Sequence, residues 1–246
     1  MAQRPRGGGG GSFRRFFGQA QITRGAMYLL FVTAGLSLVF MMGGEELKAR
    51  MGSWMLASGA SVWGDLKLWS LVTSPLLEPS FVSLLFQAFT LWMFLPALER
   101  WWGMKRFLVF AAVTSVVGAV VGTLVGTLLG GTWTLVPVAG LDPFVFGGIV
   151  AYGVLFASQP VQFFGVLPMT GRQLTWGIIA FAALFILLGQ SWVEGSALAA
   201  GMITAWFMTS QRASPRLWML KARQRRQRAN LRVVSGGKKN DKRWMN

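Results

Sequence analysis

Six apolar stretches punctuate the chain, at residues 26–42, 81–98, 107–129, 144–158, 173–188 and 197–210. An α-helix crossing the hydrocarbon core of a bilayer takes about 20 residues. Several stretches fall short, and the Trp, Ser, Thr and Gly at their flanks complete them. The pattern predicts an all-α polytopic membrane protein with six spans. Residues 43–80, between the first two stretches, are too polar and interrupted to be another span. Within them, residues 68–77 are apolar but broken by Pro75, which predicts an interfacial or partly re-entrant segment on the outer face.

The third stretch carries Gly118, Gly122, Gly126 and Gly130 at an unbroken four-residue period, and the sixth places Gly201 between Ala197 and Ala205. Such spacing lays small residues on one helix face, where backbones approach closely. Packing within the chain is expected ahead of a homodimer face, because six spans supply enough partners.

Composition agrees with a membrane setting: 53% of residues are hydrophobic and 13% charged, against about a quarter charged in soluble domains. The chain has no cysteine and no histidine. That excludes disulfides, thiolate zinc sites, cysteine nucleophiles and every imidazole ligand or general base. No metal or cofactor is expected.

The net charge of +16 sits entirely in the tails. Residues 1–25 hold five basic residues and no acid, residues 211–246 twelve and one, and the body between them seven of each. With the amino terminus inside, the inner loops carry Glu99, Arg100, Lys105, Arg106 and Arg172. The outer ones carry Glu45, Glu46, Lys48, Arg50, Asp65, Lys67, Glu78, Asp142 and Glu194. Every connection then has the sign of the positive-inside rule, so both termini are predicted to be cytoplasmic. The organisation expected is a flexible basic tail over residues 1–25, a membrane domain over 26–210 with an outer interfacial loop at 43–80, and a basic cytoplasmic tail over 211–246. The charge bias and compact loops point to a bacterial inner membrane. The run KARQRRQR from Lys221 has no interleaved aromatics. It suits anionic lipid, worth about 1 kcal/mol per basic residue near the surface, or an acidic partner. Nucleic acid ranks last, for want of stacking residues.

The block from Leu68, LWSLVTSPLLEPSFVSLLFQAFTLWMFLPALERWWGMKRFLVF, resembles the second span and following loop of the rhomboid family of intramembrane serine proteases. Glu99, Gly103 and Arg106 match the acidic, glycine and basic positions of that loop pattern. GLDPFVFGG from Gly140 resembles the rhomboid segment that opens the fourth span with G-x-S-G. ALAAGMITA from Ala197 is similar to the last span, where a histidine precedes a small-xxx-small pair. The resemblance covers about residues 25–212 and implies a rhomboid-like six-helix bundle that admits transmembrane segments laterally.

At the catalytic positions the pattern departs from the family. Asp142 stands at the position of the serine, with Pro143 at the following glycine, and Leu198 at that of the histidine. Ser83 and Gln87 stand where the oxyanion-stabilising histidine and asparagine are implied. A serine hydroxyl without a base is a weak nucleophile, so the Ser–His dyad is absent. A zinc protease of the H-E-x-x-H kind needs two histidines. An aspartyl mechanism needs two carboxylates sharing a proton, and Asp142 is the one aspartate near a span. A Ser–Lys pair from Lys67 with Ser70, Ser74 or Ser80 stays open.

Asp142 has two readings: an N-terminal cap favoured by the helix dipole, with Pro143 in the first turn, or a ligand for a polar or cationic group of a client helix. Ser83 and Gln87 share a helix face, as pocket lining toward Asp142 or as polar contacts between helices. Trp101 and Trp102 mark the inner interface. The function expected is that of a non-catalytic adaptor or accessory subunit, holding a membrane-protein client through Ser83, Gln87 and Asp142. A residual serine-type protease and a lipid-handling or transport protein are the alternatives.

Overall fold

The computed structural model describes residues 22–158, 160–163 and 167–210. The expectations for the basic run from Lys221 and for nearly all of both tails lie outside the described residues. Nine α-helices are described: α1 (Arg24–Met42), α2 (Glu45–Met55), the short α3 (Ser70–Thr73), α4 (Phe81–Met93), α5 (Leu95–Trp102), α6 (Met104–Leu129), α7 (Asp142–Leu155), α8 (Gly171–Gly189) and α9 (Trp192–Thr209).

Three of these, α1, α6 and α8, are long and apolar enough to cross a membrane. α4 joins them only together with Ser70–Leu76, from which it turns by 83° at a short break. α7 is apolar but has 14 residues, which gives it a length of about 21 Å. The second apolar stretch, read as one run, is two helices. Pro96 lacks the N–H that would continue the ladder, and the chain breaks at Phe94 between α4 and α5. One further element departs from an all-helical reading. A small antiparallel hairpin, β1 (Pro160–Phe163) and β2 (Leu167–Thr170), joins α7 to α8 and pairs Pro160 with Thr170. It occupies the connection expected between the fourth and fifth apolar stretches, and its Val, Phe and Thr residue types favour extended backbone.

α1 starts on a carboxylate supplied from another helix. Its N-cap residue, Thr23, forms no side-chain cap. Instead Glu99 of α5, 6% exposed, accepts hydrogen bonds from the Gly25 N–H and the Ala26 N–H, each at 2.8 Å, and from the Thr23 hydroxyl. Two of the free first-turn donors of α1 are thereby satisfied and the helix dipole is complemented. Gly103, which separates α5 from α6, has φ of +80°, a conformation open chiefly to glycine. Arg106, the third motif residue, lies exposed in the first turn of α6.

α9 packs most heavily on α6 and α7, and the small residues set how closely. A Cβ on Gly118 would lie 2.5 Å from Pro143 Cβ, and one on Gly122 2.8 Å from Val138 Cγ2. A Cβ on Gly126 would lie 2.9 Å from the Trp133 carbonyl oxygen, and one on Gly201 would meet the Pro143 carbonyl. Gly130 does not share this stripe. It follows the last residue of α6 at φ +69°, with open space where a side chain would stand, so it ends the helix rather than packing it. Beneath these contacts Phe107 and Phe110 both meet Phe144 edge-on, at 5.6 and 5.9 Å between ring centroids.

Residues 43–80 form a folded cap. Ala57 and Val62 are fully buried against Ala119, Val138 and Ala197, and the Val138 N–H donates to the Ala57 carbonyl at 2.7 Å. The apolar segment with Pro75 buries Ser70, Leu71, Ser74 and Pro75 inside the protein, which leaves its irregular backbone shielded from lipid.

Candidate functional site

The chain enters α7 through Gly140. Its φ is +76°, and its N–H lies 2.9 Å from the Leu77 carbonyl oxygen and 3.1 Å from that of Ser74. A Cβ here would collide with Glu78 Oε2 and stand 2.8 Å from Gln87 Nε2. Only glycine allows both the conformation and this approach. The contact draws the start of α7 against the turn that precedes α4.

That turn delivers Glu78, 5% exposed. Its N–H donates to Ser37 Oγ of α1 at 2.9 Å, and its Oε1 accepts from the Ser80 N–H at 3.1 Å. Its Oε2 accepts from Gln87 Nε2 at 2.6 Å. The same nitrogen donates to Asp142 Oδ1 at 2.9 Å. One buried amide on α4 therefore bridges two carboxylates from the loop before it and from the first turn of α7. Gln87 is 1% exposed, and its Oε1 has no hydrogen-bond partner among the described residues. Burial lifts the Glu78 carboxyl from its ordinary 4.5 to about 7, and the Asp142 carboxylate adds to the rise. The bonds from Ser80 and Gln87 pull the other way. Among the described residues no cation forms an ion pair with Glu78 or Asp142.

The capping reading of Asp142 does not describe its contacts. The N-cap is Leu141, without a side-chain bond, and Asp142 is the first residue of the helix. Its carboxylate is turned to Gln87 instead, while its first-turn place still suits the dipole. Lys67 lies 3.1 Å from Asp65. The Ser70 hydroxyl bonds the Lys67 carbonyl rather than its amine.

Ser83 and Leu198 complete the gathering. A cavity of about 350 Å³ is lined by Glu78, Ser80, Ser83, Asp142, Glu194 and Leu198, among others. A second, of about 290 Å³, shares Ser83, Asp142 and Leu198 and continues between Phe86, Phe181 and Phe185. A third, of about 390 Å³, runs on from Phe86 and Phe181 between α4 and α8 and is almost wholly apolar. The polar floor and the lateral opening between α4 and α8 thus form one series of spaces. Ser83, Asp142 and Leu198, named from the sequence, meet in these cavities from three helices, and Gln87 stands buried behind them, bonded to Asp142. Glu78 and Glu194, which the charge pattern places in outer loops, join them, Glu78 buried and Glu194 exposed. A signal existed for Glu78: Glu78–Pro79 repeats the acid–proline pair of Asp142–Pro143 just before an apolar helix. Glu194 carried none.

A helical membrane bundle with these convergent positions defines a rhomboid-like integral membrane protein. The chain belongs to the family described as "Eukaryotic integral membrane protein (DUF1751)", whose model matches residues 24–209. It is also similar to "Putative rhomboid protease YdcA" of Bacillus subtilis (strain 168), with 32% identity over 129 residues, which are 50% of this chain and 57% of that protein. The chain therefore spans a little over half the length of that curated relative.

Proposed function

We propose that this protein is a non-catalytic rhomboid-like adaptor, which holds a transmembrane segment of a membrane-protein client or complex subunit. The carrying observation is the buried Glu78–Gln87–Asp142 cluster at the end of the space that opens between α4 and α8. Uncompensated carboxylates in a membrane bundle are expensive and favour a partner that brings a cation or hydrogen-bond donors. Proteolysis by the rhomboid route has no support in the chain chemistry. By the rhomboid resemblance Asp142 and Leu198 stand at the positions of the dyad, and the sequence holds no histidine to serve as a base.

The topology that fits is six spans with both termini cytoplasmic, the shorter α7 and α9 completing the set. Loop charges support this reading. The 14-residue α7 favours a locally thinned bilayer, which eases lateral entry of a client helix. The same charges favour a bacterial cytoplasmic membrane, as does the Bacillus relative, while the family name points to eukaryotes. The second reading, lipid handling, draws on the apolar cavity of about 390 Å³ between α4 and α8.

A photo-crosslinker at Phe185, exposed and shared by the two inner cavities, tests the proposal in native membranes. A defined protein adduct that disappears with Asp142→Leu supports the adaptor. Lipid adducts alone replace it with lipid handling.

A further inference from the structure

A separate cavity lies at the corner where α5 turns into α6. Its volume is about 340 Å³, and its lining is Trp102, Lys105, Arg106, Val109, Phe110 and, from the end of α9, Met208. Lys105 and Arg106 stand exposed at its rim, and neither has an ion-pair partner among the described residues. The nearest acid along the chain, Glu99, is buried with both oxygens committed to the start of α1. No acid or amide side chain lines the cavity.

The interior is of the opposite character. Trp102 and Phe110 form its floor, their rings 5.0 Å apart, while Val109 is 56% exposed and Met208 46%. Lys105 and Val109 are four residues apart, as are Arg106 and Phe110, so each cation stands one helical turn, about 5.4 Å, from an apolar neighbour. An occupant must therefore join an anionic head to an apolar body. A soluble phosphate compound would leave Val109 and Met208 uncovered, and an apolar helix would leave both cations unpaired. A phospholipid meets both demands, and the two cations, with no acid beside them among the described residues, select a net negative headgroup over a zwitterionic one. Basic pockets between transmembrane helices bind such headgroups.

We propose that the α5–α6 corner and the end of α9 form a binding site for an anionic phospholipid, with its phosphate on Lys105 and Arg106 and an acyl chain along Val109 toward Val113. The site is independent of the client reading; only its assignment to the cytoplasmic leaflet rests on the proposed topology. Occupied, it would fix the corner that also carries Glu99, and through Glu99 the start of α1.

The full-length protein in phosphatidylcholine nanodiscs, given trace phosphatidylglycerol or phosphatidylcholine with a photoreactive acyl chain, tests this. Label on residues 102–113 and 208 is read by mass spectrometry. Phosphatidylglycerol is expected to label them at least fivefold more than phosphatidylcholine. Lys105→Gln with Arg106→Gln should erase the difference, and Lys105→Arg with Arg106→Lys should keep it. Val109→Trp, at an exposed position, should displace the label even if the charge variant fails to fold. Equal labelling by the two lipids overturns the proposal. So does a difference lost on neutralising Arg223, Arg225, Arg226 and Arg228 but kept without Lys105 and Arg106.

Discussion

Gln87 Nε2 lies 2.9 Å from Asp142 Oδ1, a bond between α4 and α7 across 55 residues of sequence, and the same nitrogen holds Glu78. A neutral amide thus does what a cation does in most buried carboxylate pairs. Replacing it with Gln87→Leu leaves two carboxylates without their shared donor. A buried polar group that loses its partner costs about 1–3 kcal/mol. Thermal unfolding in mild detergent should show a loss of that size, whereas Leu85→Ala, on the exposed face of the same helix, should cost less.

The raised pKa of Glu78 makes stability depend on pH in a definite direction. In the folded protein the carboxyl holds its proton up to about 7, against 4.5 for the free group. Between these values the folded state binds more protons at this group than the unfolded one, so the stability that Glu78 contributes is fully present below about pH 4.5, falls as pH rises, and levels off above 7. The full fall from this group is about 3 kcal/mol. Glu78→Gln should remove that component and raise stability at pH 8, as followed by denaturation across a pH series. A slope unchanged in the variant would assign it to other groups.

Glu99 makes a sharper prediction because its partners are fixed donors. Glu99→Ala uncaps α1 and frees the Gly25 and Ala26 N–H groups. The expected loss is about 1–3 kcal/mol. Glu99→Gln, which keeps one acceptor oxygen, should lose about half as much. Hydrogen exchange at the first turn of α1 reads the effect locally.

The glycine stripe separates packing from conformation. Gly118→Ala drives a methyl group into Pro143 and toward the Ala197 carbonyl, a clash that costs about 1–3 kcal/mol in a packed interior. Gly35→Ala, with open space at its Cβ, should be neutral or slightly stabilising, because alanine favours helix.

These contrasts show how far the sequence could be read. Gly118, Gly122, Gly126 and Gly201 were legible because a four-residue period has a single meaning on a helix. Gly130 keeps that period and was misplaced by it: a helix end leaves no trace in spacing alone. Ser83, Gln87, Asp142 and Leu198 were found by aligning flanking glycines, which fixes position along the chain but not what a side chain touches. Hence Asp142 read as a cap or as a ligand for a client group, and neither reading foresaw that Gln87 holds its carboxylate. Glu78 was hidden because charge counting treats every loop acid as solvated. Its burial depends on Gly140, 62 residues away, standing close enough to cover it. The break at Phe94 was announced by Pro96 but hidden within one apolar run, whereas the hairpin falls between the fourth and fifth apolar stretches, where the pattern predicts only a connection.

The central claim is that the Glu78 and Asp142 carboxyls, held by Gln87, recognise a polar group on a transmembrane helix without cutting it. Its most direct test uses proteoliposomes containing the full-length protein and fluorescent model transmembrane peptides that differ at one central residue, lysine or leucine. Energy transfer from the protein to the peptide reports binding, and gel analysis of the same sample reports cleavage. The account predicts that the lysine peptide binds at least tenfold more tightly, about 1.4 kcal/mol, that Asp142→Leu with Glu78→Gln abolishes the difference, and that both peptides stay intact. Equal affinity for the two peptides, or cleavage of either, would contradict it.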